Sequence, residues 1–245
     1  PSDDTVSTAK LQANAVTAAK FNADVISGQT ELATTPADTD ELLLSDAGVL
    51  KRIDYSHLKD GAGSLVRVGG GESGGSAVSV SSVSFNNVFT TTYDTYFVTL
   101  FSQCATNNSN TYLRLRASGT DITASNYMWV SGVNSSVTGT SASEGKTGNS
   151  AATNFQLGQW GGNTAYGNYH TFYIYNPLPQ STDTGHGDFP YIVGHKSSYT
   201  SDSYQTYQTF AGILAQGTGG DGLTFYEGEG NVTRYTINIY GMVQS

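Results

Sequence analysis

Cysteine occurs once in these 245 residues, proline five times and histidine four times, and charged side chains make up only 13% of the chain against an average of about 25%. The lone Cys104 can close no intrachain disulfide, which excludes a small disulfide-stapled fold and leaves the role of a buried, small apolar side chain. No apolar run approaches the ~18 residues of a membrane-spanning helix, and no basic stretch followed by a hydrophobic one marks a signal peptide, so no membrane insertion is expected. Lys and Arg number 11 against 20 Asp and Glu, a net charge of −9. Nucleic acid is therefore not an expected partner, because affinity for a phosphate backbone comes from clustered cations. Leu, Lys and Glu, the residues of long helices, are scarce as well.

What is abundant is Gly (29), Tyr (16) and a dense scatter of Ser, Thr and Asn among β-branched residues. From Val78 onward the chain alternates apolar and polar residues in short runs separated by polar turns, the pattern of a sheet with one face on a core. In Tyr112-Leu113-Arg114-Leu115-Arg116 the leucines face in and the arginines out. Tyr235, Ile237 and Ile239 make the same inward stripe, and similar runs occupy 83–89, 94–103, 122–131, 153–160, 169–176, 190–195, 207–215 and 222–227. Short strands with no helical pattern between them predict an all-β fold, an antiparallel, jelly-roll-like β-sandwich over 78–245.

The front of the chain reads differently. Val6-Ser7-Thr8-Ala9-Lys10-Leu11-Gln12-Ala13 returns ten residues later as Val16-Thr17-Ala18-Ala19-Lys20-Phe21-Asn22-Ala23. A stripe of Val6, Ala9, Leu11, Ala13, Val16, Ala19, Phe21 and Ala23 is too thin to offset about 1–2 kcal/mol of backbone entropy per residue at about 25 cal/mol per Å² buried. Residues 1–25 are thus expected to assemble against copies of themselves or a partner, as a shaft or anchoring segment. Glu41-Leu42-Leu43-Leu44-Ser45 and Gly48-Val49-Leu50-Lys51-Arg52-Ile53 read as a small hairpin turning at Asp46-Ala47-Gly48, with one helical turn at 55–59, a connector over 26–60. The glycines between Gly61 and Gly75 predict a flexible linker over 61–77, with the main domain boundary near Ser73 to Ala77.

Chemistry-bearing motifs are few. His186, Asp188, His195 and Asp183 lie close in sequence, but in a Gly/Pro turn without metal-ligand spacing, so no metal is assigned. Glu227 and Glu229 flank one residue and read as a charged strand end rather than a sugar-cleaving pair. Gly217-Thr218-Gly219-Gly220-Asp221-Gly222 precedes no helix and reads as a turn, not a phosphate cradle. His170 shares a face with Phe172 and Ile174, as a hydrogen-bonded core histidine would. Neither catalysis nor a cofactor is expected. Two segments stand out: Trp160 to Tyr169 and Ser198 to Gln205. Their aromatic and polar side chains, Trp160, Asn163, Tyr166, Tyr169, Tyr199, Asp202 and Tyr204, suit either stacking and hydrogen bonding to a sugar or contact between subunits. Trp129 reads as core or interface.

The Val-x-x-Ala-Lys repeat, Ile26-Ser27-Gly28-Gln29-Thr30-Glu31-Leu32 through Asp38-Thr39-Asp40-Glu41-Leu42, and Val49-Leu50-Lys51-Arg52-Ile53-Asp54-Tyr55 resemble the front of fibre and receptor-binding proteins of tailed bacteriophages, especially podovirus-like phages of marine bacteria. Gly222-Leu223-Thr224-Phe225-Tyr226 and Thr236-Ile237-Asn238-Ile239-Tyr240-Gly241 are similar to the closing strands of many phage virion sandwich domains. The resemblance covers the front quarter and the last tenth of the chain. It implies a homotrimer in the virion, a shaft or connector ahead of a globular head, and attachment to other tail or capsid proteins through the N-terminal segment. It also implies that the head meets a host surface polysaccharide. A capsid-decoration or tail-assembly protein and a lectin-like carbohydrate-binding module are the alternatives; a β-helical depolymerase would need a strand repeat absent beyond residue 25.

Overall fold

A computed structural model describes residues 24–60, 65–74, 77–137, 143–158, 165–179, 189–199, 204–216 and 219–243. The expected assembly stripe from Val6 to Ala23 lies outside them. The chain divides into two compact units, Pro1–Ala62 and Gly63–Ser245.

In the first unit a short helix, α1 (Asp24–Ser27), precedes the antiparallel hairpin of β1 (Glu41–Asp46) and β2 (Val49–Asp54), followed by α2 (Tyr55–Asp60). Ala47 and Gly48 form the two-residue turn, both at positive φ, as the twist of a tight hairpin demands. The backbone amides of Tyr55 and Ser56 donate to the carbonyls of Asp40 and Asp38, closing the loop before β1 onto α2. The hairpin leaves Leu42, Leu43, Val49 and Leu50 exposed.

The second unit is an antiparallel, all-β sandwich. Its strands are β3 (Leu65–Glu72), β4 (Val83–Phe85), β5 (Thr95–Cys104), β6 (Thr111–Ala117), β7 (Thr120–Asp121), β8 (Tyr127–Val137), β9 (Ser143–Ala152) and β10 (Phe155–Gln156). They continue as β11 (Asn168–Tyr175), β12 (Tyr191–Tyr199), β13 (Tyr204–Leu214), β14 (Gly222–Glu227) and β15 (Val232–Met242). One sheet has the order β3-β15-β5-β11-β12-β13-β8-β9; the other runs β10-β6-β14-β4, with β7 added to β6. Inward residues of both sheets, among them Tyr96, Val98, Leu113, Leu115, Phe172 and Phe225, interdigitate as one core. Two buried tyrosines pin its turns. Tyr127 Oη accepts from the Leu115 amide at 3.1 Å and donates to the Ile122 carbonyl at 3.0 Å; Tyr96 Oη does the same with the amide (2.7 Å) and carbonyl (3.0 Å) of Thr90.

The linker expected over 61–77 is corrected by the ladder: Leu65–Glu72 is the first strand of the large sheet, paired with β15 from Leu65↔Met242 to Glu72↔Thr236. Glycine is needed there for close approach. A Cβ on Gly70, whose φ is +131°, would lie 2.3 Å from the Ile237 carbonyl oxygen, and one on Gly69 would meet Val88 at 2.6 Å. The compact second unit correspondingly starts at Gly63, ahead of the boundary expected near Ser73 to Ala77.

Register gives the sandwich a direction. The chain enters at Leu65 beside Met242, at one end of the large sheet. The connections after β5, β8, β10, β12 and β14 emerge at the other end, where Cys104, Thr111, Asn168 and Glu227 lie.

Candidate functional site: an exposed tyrosine cluster above a polar interior

Alternation along β11 and β12 sends Tyr169 and Tyr199 to the outer face of the large sheet, near the loop end. Tyr169 lies opposite Phe101 of β5, their rings 4.9 Å apart, and opposite Ser197 of β12. Tyr166, in the connection between β10 and β11, meets Tyr199 edge to face at 5.2 Å. Gly167 makes this possible: with φ at +67° it turns the chain tightly over β5, and a Cβ there would sit 2.6 Å from the Phe101 ring. Tyr166, Tyr169 and Tyr199 are nonetheless 59%, 63% and 41% exposed. Sequence-predicted positions from two segments are thereby gathered into one cluster. Trp160, Asn163 and Asp202 lie outside the described residues; Tyr204 begins β13, and its side chain is not described.

Two clefts flank this face. One of about 530 Å³, lined by Gln103, Ala165, Thr233 and Arg234, borders the tyrosine cluster. The other, of about 600 Å³, lies over β8 and β13 and is lined by Met128, Trp129, Val130, Tyr191, Ala211 and Ile213. Trp129 itself packs against the core, within the range its sequence position suggested. The outward positions of β5, β11, β12 and β13 carry no Asp, Glu, Lys or Arg, while Phe97 packs on Tyr173 at 5.2 Å and His195 stacks on Tyr207 at 6.0 Å. The face is thus aromatic and free of Asp, Glu, Lys and Arg, on a chain of net charge −9.

Beneath the loop end the interior changes character. Across the inner face of β5, β11, β12 and β13, register aligns Val98, Phe172, Gly194 and Phe210 in an apolar row. The next row is Leu100, His170, Lys196 and Gln208, and the one beyond is Ser102, Asn168, Ser198 and Thr206. Every residue of these two rows is buried. From the facing sheet, Glu227 of β14 reaches into the same space and accepts hydrogen bonds from Ser102 Oγ at 2.9 Å and Thr111 Oγ1 at 3.2 Å. Ser198 and Thr206 share a hydrogen bond of 2.6 Å.

Burial dominates the electrostatics. It pushes the Glu227 carboxyl up, with Lys196 and the hydroxyls partly opposing, and pulls the Lys196 amine down to about 8, with Glu227 opposing. Cys104 is buried as expected; its thiol is raised by burial and donates to the Glu229 carbonyl at 2.9 Å. Glu227 is therefore not the charged strand end that the sequence suggested, whereas Glu229 is exposed. Lys196, Glu227 and His170 line neither cleft. Parity along the strands could have revealed them: Lys196 shares a face with Ile192, Glu227 with Leu223 and Phe225, and Asn168 with Phe172.

His170 is buried as expected but is not hydrogen-bonded. Neither ring nitrogen meets a partner in bonding geometry, although the backbone at Leu100 and Leu157 lies close enough to favour the charged ring slightly. Burial first and Lys196 second hold its folded pKa well below the ordinary 6.5. Between that lowered value and 6.5 the unfolded chain binds more protons than the folded one, so stability is lost as pH falls, by up to about 1.4 kcal/mol per pH unit. The raised Glu227 acts oppositely above its ordinary 4.5, in the wild type and in a His170 variant alike. His170→Leu should thus gain on the wild type steadily as pH drops from about 7 to about 5. Urea midpoints across that range are the check; a constant difference would show that His170 is not held neutral.

Among the described residues no group of three or more His, Cys, Asp or Glu is arranged to hold a metal ion. His186, Asp188 and Asp183 lie outside them. No family model matches the chain, no curated protein matches it, and no solved structure matches it.

Proposed function

We propose that this chain is a non-catalytic virion protein of a tailed bacteriophage: a trimeric tail fibre or spike whose sandwich holds a host cell-surface polysaccharide. The observation that carries the reading is the tyrosine cluster of Tyr166, Tyr169 and Tyr199, at the end of the sandwich remote from where the chain enters. Tyrosine faces pack on the apolar face of a sugar ring, and their hydroxyls, with Ser197 nearby, bond its hydroxyl groups. Three such sites on one trimer would convert weak single contacts into avidity. Residues 1–25, in this reading, assemble the trimer and meet other tail or capsid proteins, and the leucines exposed on the first unit's hairpin suit the same packing.

The test is retention of the full chain on an array of bacterial surface polysaccharides. Tyr169→Ala should weaken the bound glycan about tenfold per site, equivalent to ~1.4 kcal/mol, and more in a multivalent format. Binding that ignores Tyr169, Tyr166 and Tyr199 alike would remove this site. A second reading, a capsid-decoration or tail-assembly protein, is favoured by the charge-free aromatic face over β5, β11, β12 and β13, which would then be covered by neighbouring subunits. Light scattering separates the fibre reading from a monomeric lectin-like module: a monomeric full chain is incompatible with a trimeric fibre.

A further inference from the structure

We infer that Lys196, Asn168 and Glu227 form a self-acting cross-linking site, in which the Lys196 amine displaces ammonia from the Asn168 carboxamide and ties β12 to β11 through an intramolecular amide bond. Lys196 and Asn168 are inward residues of adjacent, paired strands, in neighbouring rows: Lys196 lies opposite His170, and Asn168 lies opposite Ser198. Diagonal neighbours of this kind are about 7–8 Å apart at the backbone, within the span of a lysine and an asparagine side chain. On its other side Asn168 lies opposite Ser102, whose hydroxyl is bonded to Glu227. Strand order thus sets the carboxamide between the amine on β12 and the carboxyl entering from the facing sheet.

All three groups are buried, with Lys196 and Asn168 at 0% exposure. Neither Oδ1 nor Nδ2 of Asn168 has a hydrogen-bond partner among the described residues, an arrangement that is ordinarily destabilising for a buried carboxamide. Of the other buried carboxamides, Gln208 hydrogen-bonds Thr206 and lies on β13, on the side of Lys196 away from Glu227, and Gln156 donates to the Gly158 carbonyl. Asn168 is therefore the acyl donor.

The reaction balances with no further reagent. The neutral Nζ of Lys196 attacks Cγ of Asn168, and the new Cγ–Nζ bond forms as the Cγ–Nδ2 bond breaks. The Glu227 carboxyl gives its proton to the departing nitrogen and receives one from Nζ, and ammonia leaves. Nothing is oxidised or reduced. Burial favours both required protonation states, an amine held down to about 8 and a carboxyl raised. It also keeps out water, which would otherwise compete for the carboxamide, while fixed neighbours in a rigid sheet can reach effective concentrations of about 10⁵ M or more.

The experiment is the intact mass of the purified full chain, denatured before measurement. A chain lighter than its sequence mass by one ammonia, yielding on proteolysis a branched peptide that joins the Asn168 and Lys196 segments, is expected. Lys196→Met, Asn168→Ala and Glu227→Gln should each restore the full sequence mass. The unaltered chain is decisive even where a variant does not fold. A folded chain that keeps its full mass after prolonged incubation at neutral pH overturns the proposal, as does a branch joining Lys196 to Gln208.

Discussion

Glu227→Ala is expected to destabilise the sandwich by about 3–5 kcal/mol, a large share of the ~5–15 kcal/mol that holds a typical domain folded. The carboxyl is the acceptor for Ser102 and Thr111 and the group of opposite charge facing buried Lys196. Its removal leaves two interior hydroxyls without that acceptor and a cation in a low-dielectric space, where an unpaired charge costs far more than the pair contributed. The paired replacement Lys196→Met/Glu227→Leu should be more stable than Glu227→Ala, because it removes the cation along with its partner; neither variant can form the proposed cross-link, so the two are compared with each other rather than with the wild type. Denaturant midpoints read both. A Glu227→Ala protein within ~1 kcal/mol of wild type would show that water reaches this part of the interior.

The second large effect falls on Gly194. It sits in the apolar row between Phe172 and Phe210, whose rings meet across it at 6.1 Å. A Cβ there would lie 2.3 Å from Phe172 Cβ and 2.5 Å from the Thr171 carbonyl oxygen, atoms of the neighbouring strand that cannot turn aside. Overpacking a core usually costs about 1–3 kcal/mol. Because the collision is with backbone and Cβ rather than a flexible tip, Gly194→Ala should reach the top of that range and Gly194→Val should fail to fold. Gly145→Ala is the control: its Cβ would find Val133 at 4.0 Å and nothing closer, and the change should be neutral or stabilising by up to ~1 kcal/mol. Thermal melts of the three variants check the order, and a stable Gly194→Val would mean that β11 and β12 can separate locally.

Much of the sandwich was legible because its central strands carry strong period-two signals. Leu113 and Leu115, Phe172 and Ile174, and Ile237 and Ile239 each declare an inward face without reference to anything else in the chain. The two outer strands of the large sheet were not legible. β3 ends in Gly69-Gly70-Gly71-Glu72 and β9 reads Ser-Glu-Gly-Lys-Thr-Gly-Asn-Ser-Ala-Ala; the two strands hold no aromatic residue, and their β-branched residues are Val66, Val68 and Thr147. They become strands because β15 and β8 present unpaired ladder groups that a glycine-rich backbone can approach closely. Composition alone makes such a segment look like a linker.

The sites divide the same way. The sequence by itself determined an antiparallel all-β sandwich, the hairpin at Ala47-Gly48, the burial of Cys104 and His170, and the concentration of tyrosine in 160–169 and 198–205, although Tyr169, Tyr199 and Tyr204 lie on strand ends rather than in loops. These follow from local patterns whose meaning does not depend on distant residues. Only the tertiary structure brought Tyr166 beside Tyr199 and Tyr169 beside Phe101, because those contacts depend on cross-strand register and on the turn at Gly167. It alone placed Glu227 within reach of Ser102, 125 positions away in the chain, and set Lys196 and Asn168 in adjacent buried rows. A charged residue in an alternating run is ordinarily read as facing solvent, since burying it alone is prohibitive. What makes burial tolerable is a partner from the opposite sheet, and no local pattern names that partner.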